Sequence, residues 1–307
     1  MKKNVISTLI ASLVIFLLGI IICSTALIYA TATDVKLFSN QELSPAESYK
    51  IEIKNIDKDG TSALSTIDIR AEKADINILP TDGNSYIFFE NPDASKTSAF
   101  IENGTLKITD TVPFYIMGLS FENGKMKFAG FRNVFTQGLY SGGEKSITVY
   151  LNNADVIKNI KITLSIGNVS VAGISVEELN VTSSFGNAVL SQVDISSTAK
   201  ISLKKGNVNI KDCSYVFTDI FTSVGDIFVQ TNGRKTNCEA TVGDINIMYD
   251  KNIDDYDIRA SLASGKIFLD GAAQKGKEFI KNAVDADSLW LKTSKGNISF
   301  YKSVTSE

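Results

Sequence analysis

The sequence predicts an all-β protein, a parallel β-solenoid with two short strands per coil of about 20 residues, preceded by one N-terminal transmembrane helix. Three observations predict it: a short glycine motif that recurs along the C-terminal half, a composition suited to strands, and one long charge-free apolar run at the N-terminus.

The repeat comes first because it is the most specific. GNVSV begins at Gly167, GNAVL at Gly186, GNVNI at Gly206, GDIFV at Gly225, GDINI at Gly243, GKIFL at Gly265 and GNISF at Gly296. Successive steps are 19, 20, 19, 18, 22 and 31 residues. A unit of this size cannot bury its own apolar face, so such a period implies stacked coils. After each glycine the second and fourth residues are apolar, from Val169 and Val171 to Ile298 and Phe300, which is the period of a strand with one buried face. Five residues before the glycines stand Ile162, Val181, Ile201, Ile220, Cys238, Ala260 and Leu291, predicting a second strand per coil with these residues stacked in chain order. The glycine fits a corner that needs positive φ or close backbone approach. The next residue, Asn168, Asn187, Asn207, Asp226, Asp244, Lys266 or Asn297, is suited to hydrogen bonding up the stack.

Composition agrees. With 4 Pro, 17 Phe and 10 Tyr among 307 residues, and with Ile, Val, Thr, Ser and Asn abundant, the chain favours strands, and at 44% hydrophobic it can build a core. A net charge of −3 without basic blocks gives no nucleic-acid footprint. The complete absence of histidine removes Ser-His-Asp and Cys-His catalysis and the commonest nitrogen ligand for transition metals. No cofactor is expected.

The apolar run from Val5 to Ala30 is long enough to cross a hydrocarbon core of about 30 Å. Lys2 and Lys3 precede it, which places residues 1–4 in the cytoplasm and everything beyond a 31–49 linker outside the cell membrane. Ala30-Thr31-Ala32 has the small-x-small form of a signal-peptidase site, leaving cleavage after Ala32 as the rival reading, but the run exceeds a signal h-region of roughly 7 to 15 residues. Cys23 follows three isoleucines and reads as a buried thiol, not a lipidation site. Ala11, Ser12, Gly19, Ser24 and Ala26 form no clear GxxxG pattern, so docking onto another membrane protein is the weaker role for the helix.

Residues 50–160 read as N-terminal β strands that cap the solenoid, 161–302 as the repeats and 303–307 as a tail. The capping region is broken at 111–145 by an aromatic excursion with Phe114, Tyr115, Phe121, Phe128, Phe131, Phe135 and Tyr140. It reads either as a hairpin and loop over the first coil or as an exposed aromatic contact surface for a partner or lipid. Residues 272–288 read as a polar surface loop with one helical turn, and Phe228 and Phe268 as outward residues two coils apart. Cys213 and Cys238 read as small core residues, with a disulfide between them the alternative. The stacked carboxylates Asp226 and Asp244 raise a cation site, against which stands the lack of any GGxGxD repeat.

The STIDIRAEKADINILPTDG opening, TLKITD, SITVYL at 146–151, the glycine repeats and the closing GKIFLDG…LWLKTSKGNISF together resemble the bacterial family of membrane-anchored β-strand-repeat proteins classed as candidate adhesins, itself a domain of unknown function. The resemblance spans roughly residues 50 to 302 and implies a right-handed, exported or membrane-anchored solenoid without assigned catalytic residues. Asn152 stands where that family usually has proline, and the excursion at 111–145 is longer than its pattern. The expected function is therefore a non-enzymatic, adhesin-like interaction module that meets the membrane through its helix and an unknown protein or glycan through its β domain. Alternatives are a cell-envelope stress or signalling accessory and a polysaccharide-active enzyme, which would need outward carboxylates on neighbouring coils from among Asp194, Asp212, Asp226 and Asp244.

Overall fold

The computed structural model describes residues 48–53, 64–90, 92, 97–110, 114–116, 119–122, 125–128, 145–153, 155–231, 233–283 and 286–303. The expected membrane helix, its flanks, Cys23 and the Ala30-Thr31-Ala32 sequence lie outside the described residues.

The chain starts with β1 (Tyr49–Glu52), β2 (Thr66–Lys73), β3 (Asp75–Thr81), β4 (Tyr86–Glu90), β5 (Thr97–Glu102) and β6 (Thr105–Asp110). Strands β7 (Phe114–Ile116), β8 (Leu119–Glu122) and β9 (Lys125–Phe128) form a three-stranded antiparallel sheet within a separate unit. The main unit resumes with β10 (Ser146–Asn152).

Long and short strands then alternate: β11 (Ile157–Ile166), β12 (Val169–Ala172), β13 (Ser175–Phe185), β14 (Ala188–Ser191), β15 (Asp194–Lys205), β16 (Val208–Lys211), β17 (Ser214–Val224) and β18 (Ile227–Thr231). The pattern continues through β19 (Gly233–Val242), β20 (Ile245–Tyr249), β21 (Tyr256–Ser264) and β22 (Ile267–Leu269). The chain closes with β23 (Ala272–Ala273), β24 (Glu278–Lys281), β25 (Asp287–Lys295) and β26 (Ile298–Lys302).

The main unit is all-β and solenoid-like. Short strands stack into a 12-stranded sheet and long strands into an 11-stranded one. Antiparallel strands edge both sheets, β1, β4 and β23 on the first and β5 and β24 on the second; the other nine strands of each sheet run parallel to their sheet neighbours and pair off as nine coils. The inward residues after each glycine face inward residues of the long strands, so that Val169, Val171, Leu190, Ile210, Val229 and Ile247 are buried together with Ile162, Val181, Ile201, Ile220 and Leu291. Burying a side chain of this size contributes about 1.5–3 kcal/mol, and β-branched residues pack well on a pleated surface.

Four expectations are corrected. In the seven coils that carry a repeat glycine the two strands are not both short: one has three to five residues and the other nine to twelve. Apolar alternation marks only the half of the long strand next to the glycine, because register shifts between Val176 and Glu178 and between Ile195 and Thr198 break the period. Second, the coils do not stack in chain order at the C-terminal end. β25 pairs with both β19 and β21, and β26 with both β20 and β22, so the last coil enters between its two predecessors. Cys238 therefore lies between Ile220 and Leu291, and Ala260 is beyond Leu291. Third, the 272–288 segment holds no helical turn among its described residues. It folds back as β23 and β24, which pair antiparallel with β22 and β21 and cover the outermost coil. An open parallel edge would template pairing with other chains, and this fold-back blunts it. Fourth, Phe228 and Phe268 stand three coils apart, with Asn246 and Ser299 between them.

The N-terminal end mirrors this arrangement. β2 and β3 form a coil that pairs on one side with β11 and β12 and on the other with β6 and β10, so coil geometry continues N-terminal of residue 161. β4 and β5 cover that end in antiparallel pairing. Asp110 ends β6 opposite Ala71 and Ser146 opens β10 opposite Asp75, so residues 111–145 are inserted where the other coils have their glycine corner.

Candidate functional site

The two corners of each coil carry the side chains that sequence reading singled out. At the glycine corner every repeat glycine has positive φ, from 132° at Gly265 to 154° at Gly296. A Cβ on Gly206 would lie 1.9 Å from the carbonyl oxygen of Gly186, and the same approach recurs up the stack. Glycine is required here because backbone passes against backbone. Ala74 holds the equivalent place in the β2–β3 coil, where the neighbour on that side has the 111–145 insertion in place of a corner.

The residue after the glycine builds a continuous ladder. Asn168 N–H donates to Asp75 Oδ1, Asn187 N–H to Asn168 Oδ1, Asn207 N–H to Asn187 Oδ1, Asp226 N–H to Asn207 Oδ1 and Asp244 N–H to Asp226 Oδ1, at 2.7 to 3.0 Å. Asn297 N–H donates to Asp244 Oδ1 at 2.6 Å and Lys266 N–H to Asn297 Oδ1 at 3.0 Å. Asn and Asp do the same job because each offers a side-chain oxygen at the same reach. Lys266 lies on the outermost coil, where no further corner N–H needs an acceptor. Asp226 and Asp244 thus spend an oxygen each on a neighbour's amide, and among the described residues no group of three His, Cys, Asp or Glu is placed to hold a metal.

The remaining carboxylate candidates sit at the second corner, between short and long strands. Asp212 has φ 52°, like Gln192 at 55° and Gly173 at 66°, and Asp194 accepts the Ser214 hydroxyl. Asp194 and Asp212 are therefore on a different corner from Asp226 and Asp244, and the four do not converge.

Cys213 and Cys238 are both free and buried. Burial pushes both thiols up from their ordinary value. Tyr215 is buried too, its hydroxyl 3.0 Å from Thr236 Oγ1, and its ring fills the space over Gly233, where a Cβ would lie 2.0 Å from the ring.

The proposed contact residues of the excursion divide. Phe114 and Tyr115 lie on β7, Phe121 on β8 and Phe128 on β9, with Phe114 opposite Phe121 in the register; Phe131, Phe135 and Tyr140 are outside the described residues.

Sequence reading missed one surface. The residues just before the glycines, Lys73, Ile166, Phe185, Lys205, Val224, Val242, Lys295 and Ser264, are register partners in a single column. Ile166, Phe185, Val224 and Val242 are 48, 52, 45 and 40% exposed. By alternation they continue the inward parity of Leu164, Ser183, Thr222 and Ala240, yet the glycine corner turns the chain away before the core closes over them. The lysines at the same offset are the sequence signal that this column lies outside.

These features define a two-sheet parallel β-solenoid whose corners are locked by glycines and an Asx ladder. The family profile Toastrack DUF4097 matches residues 64–301, and the chain belongs to that family, a domain of unknown function. The chain is similar to a candidate cell adhesion protein of Clostridium sporogenes at 12% identity, over 84% of this chain and 99% of that one, with a TM-score of 0.34. It is similar to a candidate adhesin of Bacteroides fragilis at 13% identity, 83% and 98% coverage and a TM-score of 0.42. A candidate lipid binding protein of Parabacteroides distasonis is 14% identical, with 83% and 96% coverage and a TM-score of 0.41. No curated protein matches the chain.

Proposed function

We propose that this chain is a non-enzymatic, adhesin-like interaction module of the bacterial envelope, anchored by the apolar run 5–30 with residues 1–4 in the cytoplasm and the β domain outside. The observation that carries the reading is the exposed column of Ile166, Phe185, Val224 and Val242 on a rigid ladder. With strands about 4.8 Å apart, the column runs roughly 19 Å from Ile166 to Val242, which suits a flat or extended partner. Large apolar side chains aligned on an exposed edge mark contact surfaces. The coils wind right-handed, as crossovers between parallel strands of L-residues do. The lack of histidine and the division of Asp194, Asp212, Asp226 and Asp244 between two corners support a role other than catalysis.

The test is crosslinking on intact cells with the full chain, a Phe185→Asp/Val224→Asp variant and a chain lacking residues 111–145. The expected result is a captured partner or glycan that the double variant loses. Captures unchanged in the double variant remove the column from the contact surface, and their loss only with the deletion moves that surface to the aromatic segment.

A further inference from the structure

The second corner is regular from β13 to β17 and then changes. The glycine-to-glycine step falls to 18 residues between Gly225 and Gly243, the shortest of the repeat. The short coil places Gly233 opposite Tyr215, and the tyrosine ring turns inward over it. The outer surface is left recessed, as an open groove of about 360 Å³.

Its chemistry is concentrated in six side chains: Asp194, Ser214, Val216, Arg234, Lys251 and Asp287. Two of the polar pairs are already matched. Ser214 Oγ donates to Asp194 Oδ1, and Lys251 Nζ lies 2.5 Å from Asp287 Oδ2. Arg234 differs, because its guanidinium makes no ion pair with any described residue although Lys235 and Ser288 set the adjacent strands in register beside it. Among the described residues, the groove therefore offers one uncommitted cation with a fork of donors, and one further oxygen on each of two carboxylates. Val216, 47% exposed, supplies an apolar wall.

We propose that this groove binds a single sugar unit carrying a carboxylate, of the uronic-acid class. The sugar's carboxylate pairs with Arg234, its ring hydroxyls donate to Asp194 and Asp287, and a C–H face of the ring lies against Val216. A neutral sugar leaves the guanidinium unmatched, and a simple carboxylate leaves the two acceptors unmatched. The site is at the opposite end of β15 from Lys205 and the exposed column, so it stands or falls separately from the contact surface proposed above.

The experiment is ligand-observed saturation-transfer NMR on the full chain in detergent, with D-glucuronate, D-glucose and acetate as probes. Expected is saturable D-glucuronate binding, at least tenfold tighter than either D-glucose or acetate. Arg234→Gln should weaken glucuronate at least tenfold, and Asp194→Asn should weaken it while leaving acetate unchanged; both residues are exposed and neither substitution touches the core. Absence of saturable glucuronate binding overturns the proposal. So does equal affinity for acetate or glucose, or an Arg234→Gln variant that binds as the original does.

Discussion

At the scale of the residue, the corners show why some positions tolerate no change and others tolerate a particular one. Gly206→Ala drives a Cβ to 1.9 Å from the Gly186 oxygen, and the expected loss is more than about 3 kcal/mol in denaturant unfolding. Gly271→Ala, also at positive φ but with nothing within 4 Å of the added Cβ, carries only the backbone strain of about 1–2 kcal/mol. Asn207→Ala leaves the exposed Asp226 N–H to water and should cost about 0.5–1.5 kcal/mol, whereas Asn207→Asp keeps the acceptor and should cost less. Equal losses for the two Asn207 variants would show that the ladder bond does not stabilise the stack.

The buried thiols give a pH prediction with a definite sign. Burial raises Cys238 above its ordinary 9.0, so the folded chain keeps a proton that the unfolded chain gives up. Stability is intact below about pH 8.5 and falls as pH rises beyond it, by up to about 1.4 kcal/mol per unit for a group of this kind. Tyr215, raised by the same cause, adds to the fall above about pH 10. Denaturant titrations at pH 7 and pH 10 should show the loss, and Cys238→Ala should reduce it. In the native chain both Cys213 and Cys238 should resist a thiol reagent that labels them at once in denaturant.

At the scale of the element, the inserted final coil makes the C-terminus structural. Because β25 and β26 lie between two other coils, the amides of Ile298 and Phe300 should exchange with solvent as slowly as those of Ile245 and Ile247. Those of β22, nearer the edge, should exchange faster. Removing residues 287–307 should destabilise the chain far more than loss of one terminal coil, since it leaves β19–β20 and β21–β22 without their shared neighbour. A truncated chain that unfolds at the original midpoint would contradict this order of strands.

At the scale of the whole molecule, the solenoid's parts were unequally legible in the sequence. Glycines at a fixed period, two apolar residues after each, and an Asn or Asp between them are local signals, each tied to one backbone position by sterics or hydrogen bonding. Those signals were enough to reach a stacked parallel β-repeat and its core residues, and the corner residues Asn168 to Asp244 with them. The exposed column was written at a fixed offset but carried the parity of the core; Lys73, Lys205 and Lys295 at that offset were its local sign, and the position of the corner is what turns it outside. The groove has no local signature at all: it exists because one coil is a residue short and a tyrosine ring two strands from Asp287 turns over Gly233.

The sequence by itself determined the repeat, its inward residues and the backbone constraint at each glycine, because these depend on neighbours a few residues away and on a coil meeting a coil like itself. Only the tertiary structure decided the order of the coils, with β25 and β26 between their predecessors and β2 and β3 between β6–β10 and β11–β12. Chain order and spatial order part company at both ends because fold-back strands such as β4, β5, β23 and β24 cover the outer edges, and pairing across a parallel sheet depends on which backbone is adjacent in space, not on which comes next along the chain.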